Sequence, residues 1–303
     1  MDITYTTTLR QNTEMTDESL LAVKNKHPFD DHVVFDEEPH DYYIDGSKEN
    51  IISATTFIHQ FFHHFDPDKA INMIFRNRKY KTDPTYKYYK LCREDIKEMW
   101  GKNGKDASEQ GTELHLYIEL FLNGIPRNNS SIEATYFHEF MKDHPDLEIY
   151  RTEMIVFSKE LLLAGSIDAI FRNPDGSLSL CDWKRSKEIK FEPFRNQRGK
   201  APFTNLPDCN YYHYCLQLNL YRMMLETYYG FRIRDMFLVV MHPNNKKQDN
   251  HWYNKHMVPR MENEGKILFQ YRKMQLEELG YKIDRDFIEI QLPTRREKKV
   301  CLI

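Results

Sequence analysis

The sequence predicts an α/β fold: a mixed β-sheet flanked by helices, with a helical elaboration on its N-terminal side. Three observations carry that expectation. Ala164 to Lys187 places β-branched and apolar runs on either side of Asn173-Pro174-Asp175-Gly176, the signature of a β-hairpin. Glu148 to Phe157 reads as a strand that turns through Ser158-Lys159-Glu160 into that hairpin, giving an antiparallel meander. A helix from Asp208 to Gly230 is followed by the apolar run Arg234 to His242, the order of a parallel crossover. The expected organisation is a polar arm over 1–28 and one domain over 29–303. Within that domain lie a helical elaboration at about 60–105, a core at about 106–242, and a C-terminal helix with a basic tail at 255–303.

Composition narrows the class. The 303 residues are 40% hydrophobic and 14% aromatic, enough for a sizeable core, and carry a net charge of −3. Nucleic-acid binders are often basic, so any phosphate-facing surface in this chain is expected to be local. The five cysteines (Cys92, Cys181, Cys209, Cys215, Cys301) form no CxxC pair and read as free thiols in a reducing compartment. The N-terminus has no charged-then-apolar leader and too many acids for a transit peptide. No apolar run reaches the roughly 18 residues of a membrane span. The expectation is an intracellular protein, cytoplasmic or nuclear, with no membrane partner. The terminal Val-Cys-Leu-Ile puts its cysteine one residue short of the prenylation spacing.

The elements follow in order. A short helix is expected near Asp17 to Lys26, then strands at Val33–Phe35 and Tyr42–Ile44 around acidic turns. Ser53 caps an apolar helical run whose His59, His63 and His64 lack thiol or acidic partners at matching spacing, so they read as part of a packing helix. From Ala70 to Trp100 the pattern is helical. Arg76, Arg78, Lys79 and Lys81 cluster there among Tyr80, Tyr86, Tyr88 and Tyr89. Two readings stand for that stretch: a single-stranded nucleic-acid surface, or a solvated face with tyrosines packed inward. Gly101 to Lys105 resembles a phosphate loop but lacks its glycine spacing, and Asp106 replaces the Ser/Thr, so no ATP is expected.

Asp106 with Glu109 forms a capping box for the next helix, which Gly124 ends. His115 and Glu119 share one face of it, and two readings stand again: a hydrogen-bonded core histidine or a metal-binding pair. Gly111, one turn earlier, suggests close approach of another backbone. Residues 132–145 read as a helix. Arg185 to Lys200 is a basic loop, Asp208 caps the helix that carries Gln217 and Tyr221, and 257–279 forms the last helix before a tail with Arg295, Arg296, Lys298 and Lys299.

The hairpin concentrates the chemistry. A three-residue loop with a G1 bulge pairs Asn173 with Ser177. Counting back sets Asp168 opposite Asp182 and Ser166 opposite Lys184, so Asp168, Asp182 and Lys184 converge on one side. Facing carboxylates repel unless a cation lies between them. A neighbouring lysine then neutralises charge on a phosphoryl group. Apolar residues flank all three, and buried charges need partners. Glu153 lies one strand away, with its register open.

Four motifs now stand in order: Gly111-x-x-x-His115 with Glu119, Gly165-x-x-Asp168, Asp182-x-Lys184, and Gln217-x-x-x-Tyr221. Over about 105–242 the chain resembles the RecB-like branch of the PD-(D/E)XK nuclease superfamily, alongside lambda-type exonucleases, CRISPR-adaptation nucleases and the mitochondrial genome-maintenance exonuclease. The resemblance implies a restriction-endonuclease-like core. His115, Asp168, Asp182 and the Trp183 carbonyl would bind Mg²⁺ or Mn²⁺, and Lys184 would position water. Glu153 would be the strand glutamate of the catalytic set. Gln217 and Tyr221 would contact the substrate strand; the chain's own charge pattern adds Glu119, Arg76, Arg78, Lys79 and Arg185 as candidate substrate contacts. Relatives with an iron–sulfur cluster carry three cysteines after the last motif. Here only Cys301 follows Tyr221, so no cluster is expected. The implied activity is metal-dependent DNA exonucleolysis on single-stranded ends in replication, repair or recombination, with DNA as the partner and a helicase or replication partner left open. A structure-specific endonuclease of the same fold and a catalytically silent nucleic-acid-binding protein are the alternatives.

Overall fold

The computed structural model describes residues 20–247 and 250–283. The chain begins with α1 (Leu21–Lys24), a 3-10 turn (Pro28–His32), β1 (Val33–Asp36), β2 (Asp41–Ile44) and β3 (Ile52–Ser53). Helices α2 (Ala54–His59), α3 (Pro67–Arg76), α4 (Arg78–Thr82), α5 (Arg93–Leu122) and α6 (Ile132–Asp143) follow. Next come β4 (Glu148–Ser158), β5 (Leu163–Arg172), β6 (Leu178–Lys184), a 3-10 turn (Phe194–Asn196) and α7 (Asn210–Tyr228). The described chain closes with β7 (Ile233–Val240), β8 (Asn254–Met257) and α8 (Glu262–Glu278).

The main sheet has six strands in the order β3-β5-β6-β7-β8, with β4 paired to β5 outside that path. The β5–β6 turn forms as its residues dictate. Gly176 takes φ 77°, which its missing Cβ permits. Asn173 N donates to Ser177 O at 2.8 Å and Gly176 N to Asn173 O at 2.9 Å. Ala169 then pairs with Cys181 and Ile170 with Leu180, the register the loop type predicts. β6 and β7 are parallel, joined by the α7 crossover. The result is a mixed sheet with helices on both faces.

Beyond Ala169 and Cys181 the two central strands part. β3 occupies the same edge of β5 only at Leu163 and Ala164. Gly165 to Asp168 is therefore left without a strand on that edge, and the candidate site forms in this opening. Two buried clusters flank the sheet. On one face Phe57, Phe61, Leu216, Leu220, Met224 and Leu268 bring in α2, α7 and α8. On the other, Leu114, Ile118, Phe137 and Phe140 of α5 and α6 pack on Phe171, Trp183 and Phe237.

Several local expectations are corrected. The stretch from Ala70 to Trp100 is broken: α3 and α4 are short, and residues 83–92 form turns. α5 then runs unbroken from Arg93 through Gly101-Lys102-Asn103-Gly104-Lys105. Its start is a capping box at Cys92, with Asp95 Oδ2 accepting from Cys92 N at 3.0 Å, and Asp106 lies inside the helix. Two glycines cost a helix about 1 kcal/mol each relative to alanine, which the long run of good helix formers around them absorbs. The far end does close on Gly124, at φ 75°, with Ile125 N donating to Leu120 O. A Cβ on Gly111 would meet nothing within 4 Å, so no backbone approaches it. Asp208 does not cap α7; it accepts from His63 N at 3.0 Å and pairs with His213. The last helix begins at Glu262 rather than at 257, because β8 runs up to Met257. Most of the N-terminal arm, Cys301 and the basic tail from Arg295 lie outside the described residues.

Candidate metal centre

The centre is assembled where β5 parts from β6. Glu153 lies between the pairs Thr152–Ala169 and Met154–Ile167, which puts it directly across β4–β5 from Asp168. Its φ is 43°, a left-handed conformation that a glutamate adopts only when its surroundings impose it. Ser166 Oγ donates to Glu153 Oε2 at 2.9 Å, fixing the carboxylate. Asp168 Oδ2 accepts from Trp183 N at 2.7 Å, taking the main-chain donor that separation of the strands would have orphaned.

From the opposite layer α5 delivers His115. Its Nε2 donates to the Trp183 carbonyl at 3.0 Å, which fixes the tautomer and turns Nδ1 toward the acids. Nδ1 lies 3.8 Å from Glu153 Oε1 and 3.7 Å from Asp168 Oδ2. The ligand atoms of His115, Glu153 and Asp168 all fall within 4.8 Å of one another, a nitrogen and two carboxylates able to hold a divalent cation. Glu153 thus stands in the triad, and the Trp183 carbonyl accepts from His115.

Asp182 and Lys184 complete the electrostatics. They form a buried pair with Lys184 Nζ 2.5 Å from Asp182 Oδ2, and the ammonium also rests 4.8 Å from the centre of the Tyr214 ring. That Asp182 oxygen has no aligned hydrogen-bond donor. Burial raises the Asp182 carboxyl to about 6, against the opposing pull of Lys184. Burial also raises Asp168, and the two carboxylates influence each other. Burial alone would lower the His115 imidazole, but Asp168 and Glu153 outweigh it and push it up to about 9. Burial likewise opposes the Lys184 charge, and Asp182 and Asp168 reverse the effect and raise it. His115 and Lys184 offset the negative charge gathered in this opening. Glu119, one turn beyond His115, is raised to about 8 by burial and by Glu153 and Glu37.

The other sequence-derived residues divide. Tyr221 is only 3% exposed and its ring lies where a Cβ on Gly165 would sit, 2.6 Å from Cε1. Gln217 Nε2 donates to the Tyr221 hydroxyl at 3.1 Å, so the tyrosine orients the glutamine from below. Arg185 is sequestered: its Nε donates to Glu133 Oε1 at 2.6 Å, with both side chains about nine-tenths buried. Arg76, Arg78 and Lys79 are exposed on α3 and α4 and are not drawn into the centre. The rise of about 1.5 Å per residue separates Trp100 from His115 by about 22 Å along α5. Two residues escaped the sequence reading. Tyr214 lies one helical turn before Gln217 and was findable by extending that face. Tyr42 comes from β2; its phenol is raised by burial and by Glu153, and no local signal marks it.

A second group able to hold a divalent metal, Glu139, Asp143 and His251, lies nearer the surface, with His251 Nδ1 2.8 Å from Asp143 Oδ2. Among the described residues no helix is long and apolar enough to cross a membrane.

No family model matches the chain, and no curated protein matches it. Among solved structures, the chain is similar to the crystal structure of SSO0001, with 13% identity and a TM-score of 0.32, covering 77% of this chain and 78% of that one. It is also similar to a provisionally named exonuclease from Eubacterium rectale, with 11% identity and a TM-score of 0.26, covering 53% of this chain and 70% of that one.

Proposed function

We propose that this chain is a divalent-metal-dependent hydrolase of nucleic-acid phosphodiesters and, within that class, a DNA exonuclease of the RecB-like PD-(D/E)XK type acting on single-stranded ends. The observation that supports this most is the convergence of His115, Glu153 and Asp168 beside the buried Asp182–Lys184 pair. A scaffold gains nothing from three carboxylates, an imidazole and an ammonium gathered in a strand opening.

The residues fit a small hard cation. Three ligand atoms already converge, and the buried Asp182 carboxylate lies beside them, paired with Lys184. His115, Glu153 and Asp168 would hold Mg²⁺ or Mn²⁺, with the Asp182 carboxylate beside them as a further donor. The ion would supply Lewis-acid polarisation of a phosphoryl oxygen. The chain supplies the rest. Lys184 keeps a fixed positive charge at Nζ, where it orients water and offsets charge developing on the phosphate. The Tyr214 ring holds that ammonium from its other side. Gln217, oriented by Tyr221, presents its remaining amide groups to the substrate strand.

The test is incubation with end-labelled linear and closed circular single-stranded DNA, with Mg²⁺, with Mn²⁺ and with EDTA. Release of mononucleotides or short products from linear strands alone, abolished by EDTA, is the expected result. Equal cleavage of closed circles would replace exonuclease with endonuclease. Absence of metal-dependent cleavage on any nucleic acid would remove the hydrolase reading.

A further inference from the structure

A cleft of about 520 Å³ opens between α3 and the turn at Phe194–Asn196, away from the triad. Clefts of roughly 300–1,000 Å³ suit small ligands or one or two nucleotides. Lys69, Met73 and Arg76 form one wall, and Phe194, Arg195 and Gln197 the other. Among the described residues no carboxylate lines it. Lys69 is shared with Asp66 at 3.1 Å, whereas among the described residues Arg76 and Arg195 carry no acidic partner. Phe194 is 63% exposed, with the Arg195 guanidinium 5.2 Å from its ring centre.

The walls are fixed to each other. Lys200 N donates to Phe61 O at 2.6 Å, and Asp208 Oδ2 accepts from His63 N at 3.0 Å, tying the basic loop to the chain just ahead of α3. A Cβ on Gly199 would sit 2.7 Å from Phe203 O, so that close approach requires glycine. Arg195 and Asn196 both hold left-handed backbone, φ 51° and 57°, presenting Phe194 and Arg195 outward at a local cost. The same loop leaves the metal centre at Lys184 and returns to it through α7, so the cleft and the centre are joined by one anchored segment.

We propose that this cleft is a strand-holding subsite for single-stranded nucleic acid, with backbone phosphates on Arg76 and Arg195 and a base against Phe194. The assignment rests on the phosphodiesterase reading and adds where the strand is gripped. Unpaired guanidinium groups beside an exposed ring match a charged backbone with flanking π-faces. The open ring accepts any base, so the grip is expected to be independent of sequence.

Binding of fluorescein-labelled oligothymidylate and oligouridylate is measured by anisotropy in EDTA, so that no cleavage intervenes, across a salt series. Wild type is compared with Arg76→Gln/Arg195→Gln, with Phe194→Ala, and with the charge-matched control Lys24→Gln/Lys266→Gln, all checked for unchanged thermal midpoints. The Arg variant should bind more weakly, with the slope of log K against log salt reduced by about 1.4, the loss of two single-strand phosphate contacts. Phe194→Ala should lose about tenfold or more, as for a stacked base. The tighter of the two oligonucleotides identifies the natural strand. Unchanged affinity and slope in the cleft variants, equal losses in the control, or no binding by wild type would each overturn the subsite. Cleavage after Mn²⁺ addition to wild type reads the metal centre separately: a strand that binds through the cleft yet stays intact removes the hydrolase reading and leaves the subsite standing.

Discussion

Gly165→Ala tests how the centre is supported. A β-carbon at 165 would stand 2.6 Å from Tyr221 Cε1 and 2.7 Å from its hydroxyl oxygen. Comfortable contact between carbon atoms is about 3.5–4.0 Å, so ring and strand must separate by about 1 Å. Neither moves freely. Tyr221 is buried and bonded to Gln217, and Gly165 is paired with Val156 in β4. Overpacking of a close-packed core costs about 1–3 kcal/mol, and a chain of this size loses about 2–4 °C per kcal/mol. Urea denaturation followed by tryptophan fluorescence should show that loss. On a Tyr221→Leu background, where the far end of the ring is gone, the same alanine should cost little, leaving a compensating coupling of about 1–2 kcal/mol. Cleavage should fall in Gly165→Ala as well, because Asp168 lies three residues along the same strand. A cost below about 0.5 kcal/mol, on a scale where surface changes lie within that range, or an equal cost on both backgrounds, would refute the close-approach argument.

Asp182→Ala should abolish cleavage and weaken Mn²⁺ binding by calorimetry, whereas Lys184→Ala should abolish cleavage with metal affinity kept or improved, since the lysine competes for Asp182; equal loss of affinity in both would remove the division of roles. Metal must displace a proton from His115, whose imidazole is raised to about 9. Mn²⁺ affinity should therefore climb with pH, by up to about tenfold per unit below that value, with protons released to the buffer; affinity that is flat between pH 6 and 8 would contradict the ligand assignment. The sign for stability is opposite. A base raised from 6.5 in the unfolded chain stabilises the metal-free fold fully below 6.5 and loses that contribution as pH rises through about 9, so metal-free protein should melt lower at pH 9.5 than at pH 6. Glu133→Ala leaves Arg185 buried without its partner and should cost about 3–5 kcal/mol, while Glu133→Gln, which keeps an acceptor, should cost less; equal denaturation midpoints for both variants and wild type would show the pair to be dispensable.

What the sequence determined about this protein is what contiguous residues decide. Pro174 and Gly176 select one loop type, and the register from Arg172–Leu178 to Ala169–Cys181 follows by counting; the expected facing of Asp168 and Asp182 does not, because the strands part just before them and Asp168 turns to Trp183 N. The α7 crossover and the parallel β7 follow from the order of a helix and an apolar strand. The tertiary structure decided what depends on partners far along the chain. Glu153 meets Asp168 because Tyr150 bulges out of β4 and Glu153 itself turns left-handed, and neither event has a local signature. Packing of α5 against the sheet hands the Trp183 carbonyl to His115, and Glu133, fifty-two residues away, claims Arg185. The role of Gly165 was invisible for the same reason, since its constraint is the ring of Tyr221. In each case a buried polar group or a filled volume had to find its complement across the fold, and only the assembled packing names that complement.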